Sequence, residues 1–280
     1  MGISMQIPGT DNLLLAALAE DIGMGDVTTL STVPEDAISH GRFIAKESCV
    51  VCGLEVLARV FELVDPRIVI KANVEDGALL QKGTVIATIS GPARGILTGE
   101  RTALNLLQRL SGVATKTHDA VAQVTGTGAR IIDTRKTTPG MRGLEKYAVR
   151  VGGGLNHRIG LFDGVLIKDN HIRAAGSITA AVRQARANVH HLLKVEVEVE
   201  DFTQLQEALT CGADVIMLDN MSLVDMKEAV RIIDGRALIE ASGNMGERDL
   251  HQVAETGVSF ISIGALTHSA RAMDISLRLE

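Results

Sequence analysis

"DVIMLDNMSLVDMKEAVRIIDGRALIEASGN", residues 214–244, lays out one complete structural unit. "DVIMLD" is an apolar run of strand length, "VDMKEAVRII" has apolar residues at helical spacing, and "ALIEAS" is a second strand-like run. Strand, helix, strand at this spacing implies two parallel strands joined by a crossover helix. The unit recurs in both directions. Strand-like runs stand at "ARIIDT", "GVLIKD" and "KVEVEV" before it and at "FISIG" after it, and helical stretches such as "ITAAVRQARANV" separate the later ones. These six strands fall short of a closed eight-stranded barrel. From pattern alone an open or incomplete barrel and a doubly wound sheet both remain possible.

The first hundred residues read as mixed α and β. "DNLLLAALAEDIG" (11–23) predicts a short helix capped at Asp11 or Asn12 and stopped at Gly23. "GRFIAKESCVVCG" (41–53) is strand-like, and "LEVLARVFELV" (54–64) has helical spacing. Residues 68–97 read as short strands punctuated by Asp-Gly, Lys-Gly and Gly-Pro turns. Residues 100–124 predict one long helix, or two joined near Gly112. The domain division expected is 1–111 for an N-terminal α/β sandwich and 112–268 for the α/β barrel, with a tail, 269–280, packing back on the first.

Composition excludes several partners. The chain has 280 residues, a net charge of −6 and only 2% aromatic residues, with no Trp. An acidic chain without stacking platforms suits neither nucleic acid nor an anionic membrane. No apolar run is long enough to cross a bilayer. The start, "MGISMQIPGT", lacks the basic and apolar regions of a leader, and Gln6 breaks the myristoylation pattern, so a cytoplasmic protein is expected. "CVVC" (49–52) has no second ligand pair, and Cys49 and Cys52 read as small buried thiols.

In parallel α/β folds the chemistry sits at the carboxyl ends of the strands. Here every strand ends in polar groups: Asp133-Thr134-Arg135-Lys136; Lys168-Asp169-Asn170-His171; Glu196, Glu198 and Glu200; Asp219-Asn220; Glu240 then Ser242-Gly243-Asn244; and Gly264. Six such ends on one rim imply a lined pocket. Residues 130–173 hold 9 Lys or Arg against 4 Asp or Glu, a local +5 in an acidic chain. Arg142, Lys146 and Arg150, at i, i+4 and i+8, are expected on an exposed helix face. Arg135, Lys136, His157, Arg158 and Lys168 follow apolar runs or glycines, and converging cations need an anion. The ligand expected therefore carries several carboxylates or phosphates. "VGGGLNHR" (151–158) allows both a close backbone approach and a helix C-cap. "KVEVEVE" alternates as a half-exposed strand does, and its acids need cationic partners or a divalent ion, with Asp219 near enough to share Mg²⁺. "EASGNMG" and "SIGALTHS" place Gly and Ser between a strand and a helical stretch, a recurrent phosphate site.

"DTRKTTPGMRGLEKYAVRVGGGLNHRIGLFDGVLIKDNHI" (133–172) resembles the core of the quinolinate phosphoribosyltransferase family. "EDIGMGDVTT" (20–29), "GERTALNLLQRLSGVATKT" (99–117), "KVEVEVE", "IMLDNM", "EASGN" and "SIGALTHS" extend the likeness over nearly the whole chain. The resemblance implies an N-terminal α/β sandwich, an open barrel and a homodimer with the site at the subunit interface. It implies transfer of phosphoribosyl to quinolinate with loss of carbon dioxide, assisted by Mg²⁺. Arg135, His157, Arg158 and Lys168 would hold the quinolinate carboxylates, with Thr134 beside them and Arg101 reaching in from the neighbouring subunit. Lys136 would contact pyrophosphate, and Glu198 and Asp219 the ribose hydroxyls or the metal. Ser242, Gly243 and Asn244, with Ile263, Gly264 and Ala265, would cradle phosphate, His268 close by. Asn244 stands where a second glycine is common.

Two rivals have sequence features of their own. Lys168 at a strand end suits a Schiff-base lyase. Residues 75–95 have the turns of a biotinyl or lipoyl carrier, but "SGPAR" replaces the modified lysine, so the segment reads as structural.

Overall fold

The computed structural model describes residues 7–280; residues 1–6, on which the leader and acylation readings rest, lie outside the described residues. The strands in chain order are β1 (Ile38–Ala45), β2 (Cys49–Val50), β3 (Val69–Ala72), β4 (Leu79–Leu80), β5 (Val85–Pro92), β6 (Arg130–Ile132), β7 (Val165–Ile167), β8 (Val195–Val199), β9 (Val215–Asp219), β10 (Leu238–Ser242), β11 (Phe260–Ser262) and β12 (Ile275–Leu279). They fall into two compact units, Met1–His118 with Thr138–Gly153 and Ser269–Glu280, and Asp119–Thr137 with Gly154–His268. No helix among the described residues is long and apolar enough to cross a membrane.

The first unit is built on an antiparallel sheet in the order β12-β1-β5-β3, with β2 and β4 pairing separately. The helix Leu54–Val64 buries Val56, Leu57, Val60 and Phe61. Phe61 meets Phe43 of β1 with ring centroids 6.0 Å apart, a tilted pair. Each fully buried ring contributes roughly 2–3 kcal/mol by leaving water. Cys49 and Cys52 are free and buried.

Local expectations fail here in instructive places. The helix at Thr10–Ile22 has Gly9 as N-cap, not Asp11 or Asn12, while Gly23 does end it. The strand run stops at Pro92, and a single helix, Ala93–Gln123, begins at once and runs unbroken through Gly112. A Cβ on Gly112 would lie 1.9 Å from the Arg271 carbonyl oxygen, so that glycine lets another segment cross the helix. Lys146, expected on an exposed face, is 3% exposed on the helix Arg142–Val151. The glycines that follow serve packing: a Cβ on Gly152 would lie 2.4 Å from the Ala114 carbonyl oxygen.

The second unit holds the six parallel strands in the order β6-β11-β10-β9-β8-β7. Several crossover helices start on side-chain caps. Ser177, Asp201, Ser222 and Asp249 each accept a backbone N–H from the first turn that follows, about 1 kcal/mol apiece. Register decides what "KVEVEVE" means. Glu196 pairs with Val215 and Glu198 with Met217, while Glu240 pairs with Met217 and Ser242 with Asp219. These partners share one face, so Glu196, Glu198, Asp219, Glu240 and Ser242 line the same side of the sheet. Val195, Val197, Val199, Ile216, Leu218, Ile239 and Ala241 take the other and are buried. The strand is covered on both sides, and its alternation marks a polar lining rather than solvent. Glu200 lies just past β8 and is exposed.

The sheet is strongly curled. Leu155 bridges Ile132 on the free side of β6. In a flat sheet residues beside it would stand five strand spacings, roughly 24 Å, from β8. Yet His157 Nε2 lies 3.0 Å from Glu196 Oε2 on β8 and 3.7 Å from Glu240 Oε2 on β10. The unit is an open, incomplete barrel, and its lining acids meet His157 inside it.

Candidate active site

Following the curl, the strand ends deliver the residues that charge and spacing singled out. Thr134, Arg135 and Lys136 leave β6. Ile263, Gly264 and Ala265 leave β11 beside it. Ser242, Gly243 and Asn244 close β10, Asp219 closes β9, Glu198 lies in β8, and Lys168 follows β7. Arg101, in the first unit, is exposed on the helix Ala93–Gln123.

The β6 and β11 ends form one group. A Cβ on Gly264 would sit 2.8 Å from Lys136 Cδ and 3.3 Å from the His268 ring, so the lysine stem lies across that glycine. Thr267 Oγ1 donates to the Lys136 carbonyl at 2.7 Å. In the neighbouring loop Gly243 has φ +91°, and a Cβ there would lie 2.2 Å from Asn220 Oδ1. Asn220 and Asn244 also have positive φ, 55° and 51°. Asn tolerates that region better than other side chains, which is how Asn244 serves where glycine is common. The helical stretches after these loops are single turns, Met245–Glu247 and Ala265–His268.

The cations come together from three segments. Arg135 Nε and Arg158 Nε are buried with no hydrogen-bond partner. Burial, then the positive charge of Arg135, pushes the Arg158 guanidinium down. Arg158 Nη1 donates to the Gly164 carbonyl at 2.9 Å. Lys168 Nζ forms an ion pair with Glu198 Oε2. Two guanidiniums close enough to repel, each with a buried and unfilled Nε, suit an anion. Glu198 and Asp219 share the inner face of neighbouring strands and offer only oxygen. That set suits Mg²⁺, which takes one or two carboxylates together with substrate phosphates.

Three buried acids have partners that the sequence did not name. Asp133, 0% exposed, accepts the His157 backbone N–H at 2.8 Å and Asn156 Nδ2 at 2.7 Å, and so fixes the segment that carries His157 and Arg158. Glu196 and Glu240 are the other two, 7% and 2% exposed. The available signal was an acid inside an otherwise apolar parallel-strand run, which has to find a partner.

Similarity to known proteins agrees in both units. Residues 26–111 match the family description "Quinolinate phosphoribosyl transferase, N-terminal domain" and residues 113–278 the corresponding C-terminal domain. The chain is 46% identical over 258 residues to a probable nicotinate-nucleotide pyrophosphorylase [carboxylating] of Bacillus subtilis (strain 168), covering 92% of this chain and 89% of the relative. It is 46% identical over 271 residues to the nicotinate-nucleotide pyrophosphorylase [carboxylating] of Mycobacterium leprae, covering 94% of each. Among solved structures, NadC from Streptococcus pyogenes superposes with a TM-score of 0.92 at 41% identity, covering 99% of both chains. The nicotinate-nucleotide pyrophosphorylase of Francisella tularensis gives 0.94 at 41% identity, covering 99% of this chain and 98% of that one. With both domains matched along nearly their full length and the strand ends arranged as above, the chain belongs to the quinolinate phosphoribosyl transferase family.

Proposed function

We propose that the chain transfers phosphoribosyl from phosphoribosyl pyrophosphate to quinolinate and releases carbon dioxide, giving nicotinate mononucleotide and pyrophosphate for NAD biosynthesis. The observation that carries this is the pair of half-buried guanidiniums, Arg135 and Arg158, each with a buried and unfilled Nε, on a barrel that also carries the Lys168–Glu198 ion pair. Quinolinate is a dianion whose adjacent carboxylates answer that need.

In this reading Arg135, His157, Arg158 and Lys168, with Thr134 at their edge, form the seat for the carboxylates. Lys136, the loops Ser242–Asn244 and Ile263–Ala265, and His268 receive the phosphates. Glu198 and Asp219 hold the ribose hydroxyls and, with the substrate phosphates, a Mg²⁺ ion that would offset charge on the departing pyrophosphate. The ring nitrogen of quinolinate attacks the anomeric carbon as the bond to pyrophosphate breaks. The ring nitrogen is then positive. When the adjacent carboxylate leaves as carbon dioxide, its bonding pair stays on the ring carbon beside that charge, and a proton from solvent replaces it. The protein's part is positioning and electrostatic preorganisation. Arg101 would complete the seat of a second copy in a homodimer, and the enzyme would work in the cytoplasm.

Quinolinate labelled in its 2-carboxylate, supplied with phosphoribosyl pyrophosphate and Mg²⁺, should release labelled carbon dioxide in step with nicotinate mononucleotide. Ribosylation of another aromatic acid, with no labelled gas from quinolinate, overturns the assignment. A covalent adduct on Lys168 after borohydride treatment would favour the Schiff-base alternative.

A further inference from the structure

Below the rim, two buried acids that the reaction above leaves without a task meet His157 of the proposed seat. His157, Glu196 and Glu240 offer nitrogen and oxygen atoms that all lie within 4.8 Å of one another. A His and two carboxylates at this distance would suit a divalent cation. The imidazole argues otherwise. His157 Nδ1 accepts the backbone N–H of Arg158 at 2.7 Å, so Nδ1 carries no hydrogen. The ring proton is then on Nε2 and points at Glu196 Oε2, 3.0 Å away. A metal-bound histidine has the reverse pattern, with the metal on one nitrogen and the other donating its N–H. The carboxyls are also short of donors: Glu196 Oε1 and Glu240 Oε1 are both buried without a partner, too little support for two charges. Burial, then the facing Glu196 carboxylate, pushes the Glu240 carboxyl well above the ordinary range.

We infer that Glu240 is a positioning residue: as a neutral carboxylic acid it donates a hydrogen bond to Glu196, which accepts His157 Nε2–H and holds the imidazole with Nδ1 on the Arg158 backbone. The inference rests on the seat proposed above. Its consequence is that Arg158 is anchored at both ends, by His157 at its backbone and by Gly164 at its guanidinium, before any anion arrives.

Two variants and one spectrum test it. Glu240→Gln keeps a donor toward Glu196 and cannot ionise, so kcat and the KM for quinolinate should stay within about threefold of the parent. Glu240→Leu removes the donor and frees the ring. The KM for quinolinate should rise about tenfold, the loss of roughly one anchoring hydrogen bond, while the KM for phosphoribosyl pyrophosphate changes little. Nitrogen-15 spectra of the parent protein should show His157 with its proton on Nε2 and no coordination shift when Zn²⁺ is added. A Glu240→Gln variant as impaired as Glu240→Leu, a Leu variant as good as the parent, a proton on Nδ1, or a Zn²⁺ coordination shift of a His157 ring nitrogen would each overturn it. The spectrum decides even if Glu240→Leu fails to fold. Failure of the underlying assignment looks different: the parent itself would not turn over quinolinate.

Discussion

The two units treat buried polar groups in opposite ways. In the first, Glu145 is 0% exposed and fully engaged: it accepts from Arg109 at 2.7 Å, from the Thr138 backbone at 2.9 Å and from Thr138 Oγ1 at 2.8 Å. Asp76 there accepts from the Gly53 and Leu54 backbones and from Tyr147. In the second, the buried side-chain atoms left without a partner include Arg135 Nε, Arg158 Nε, Glu196 Oε1 and Glu240 Oε1; among the described residues the first contributes only Ser276 Oγ. A buried polar atom without a partner costs free energy, so a protein keeps several in one place only where something else answers them. One unit uses such groups to hold itself, and the other leaves them unmet around a site.

That contrast can be broken by substitution. Glu145→Ala should have the largest effect on stability, roughly 2–3 kcal/mol, because it removes the acceptor shared by a half-buried guanidinium, a hydroxyl and a backbone N–H. Urea unfolding would measure it, and a loss under 1 kcal/mol would mean the network is replaceable. Arg135→Ala should do the reverse, raising the KM for quinolinate by about 100-fold through lost charge-assisted contacts while the melting temperature hardly moves. If binding and folding decline together, Arg135 belongs with Glu145 and the contrast fails. Gly243→Ala would force a Cβ against Asn220 at positive φ and should raise the KM for phosphoribosyl pyrophosphate about tenfold, leaving that for quinolinate alone. Equal changes in both constants would detach that loop from the phosphate.

The smallest effect is on the surface of the first unit. Glu47 accepts from Arg271 at 2.8 and 2.5 Å and from the Asp274 backbone at 2.8 Å. The Arg271 hydrogen bonds, then that backbone contact, lower its carboxyl to about 2. A lowered folded value stabilises above the unfolded value and is lost as pH falls through that range. Glu47→Gln should therefore cost a degree or so of melting temperature at pH 7, and the difference should vanish as pH is lowered toward about 2. A gap that widens in acid would contradict the sign.

How far the sequence could be read differs by element. The helix Leu54–Val64 was legible to the residue, since its apolar spacing and the glycine before it are local signals. The six parallel strands were legible because β-branched runs alternate with helical stretches. Arg135 and Lys168 were legible as strand-end cations, and Arg158 as a cation after a glycine turn. Lys146 was not: helical periodicity marks a face, but whether that face meets water depends on what packs on it. Nor was the role of "KVEVEVE" legible, because alternation looks the same whether the polar face meets solvent or a barrel interior.

The sequence by itself determined the βα repeat, the cluster of cations after the first strands and the glycines of the loops that follow β10 and β11. Each follows from backbone preference, side-chain period or charge within a few residues. Only the tertiary structure decided that His157 meets Glu196 and Glu240, that Asp133 anchors the segment bearing Arg158, and that Lys136 lies across Gly264. Those contacts join residues dozens to over a hundred positions apart: strand pairing beside β6 sets the last two, and the sheet's curl closes for His157 a gap that no local rule measures.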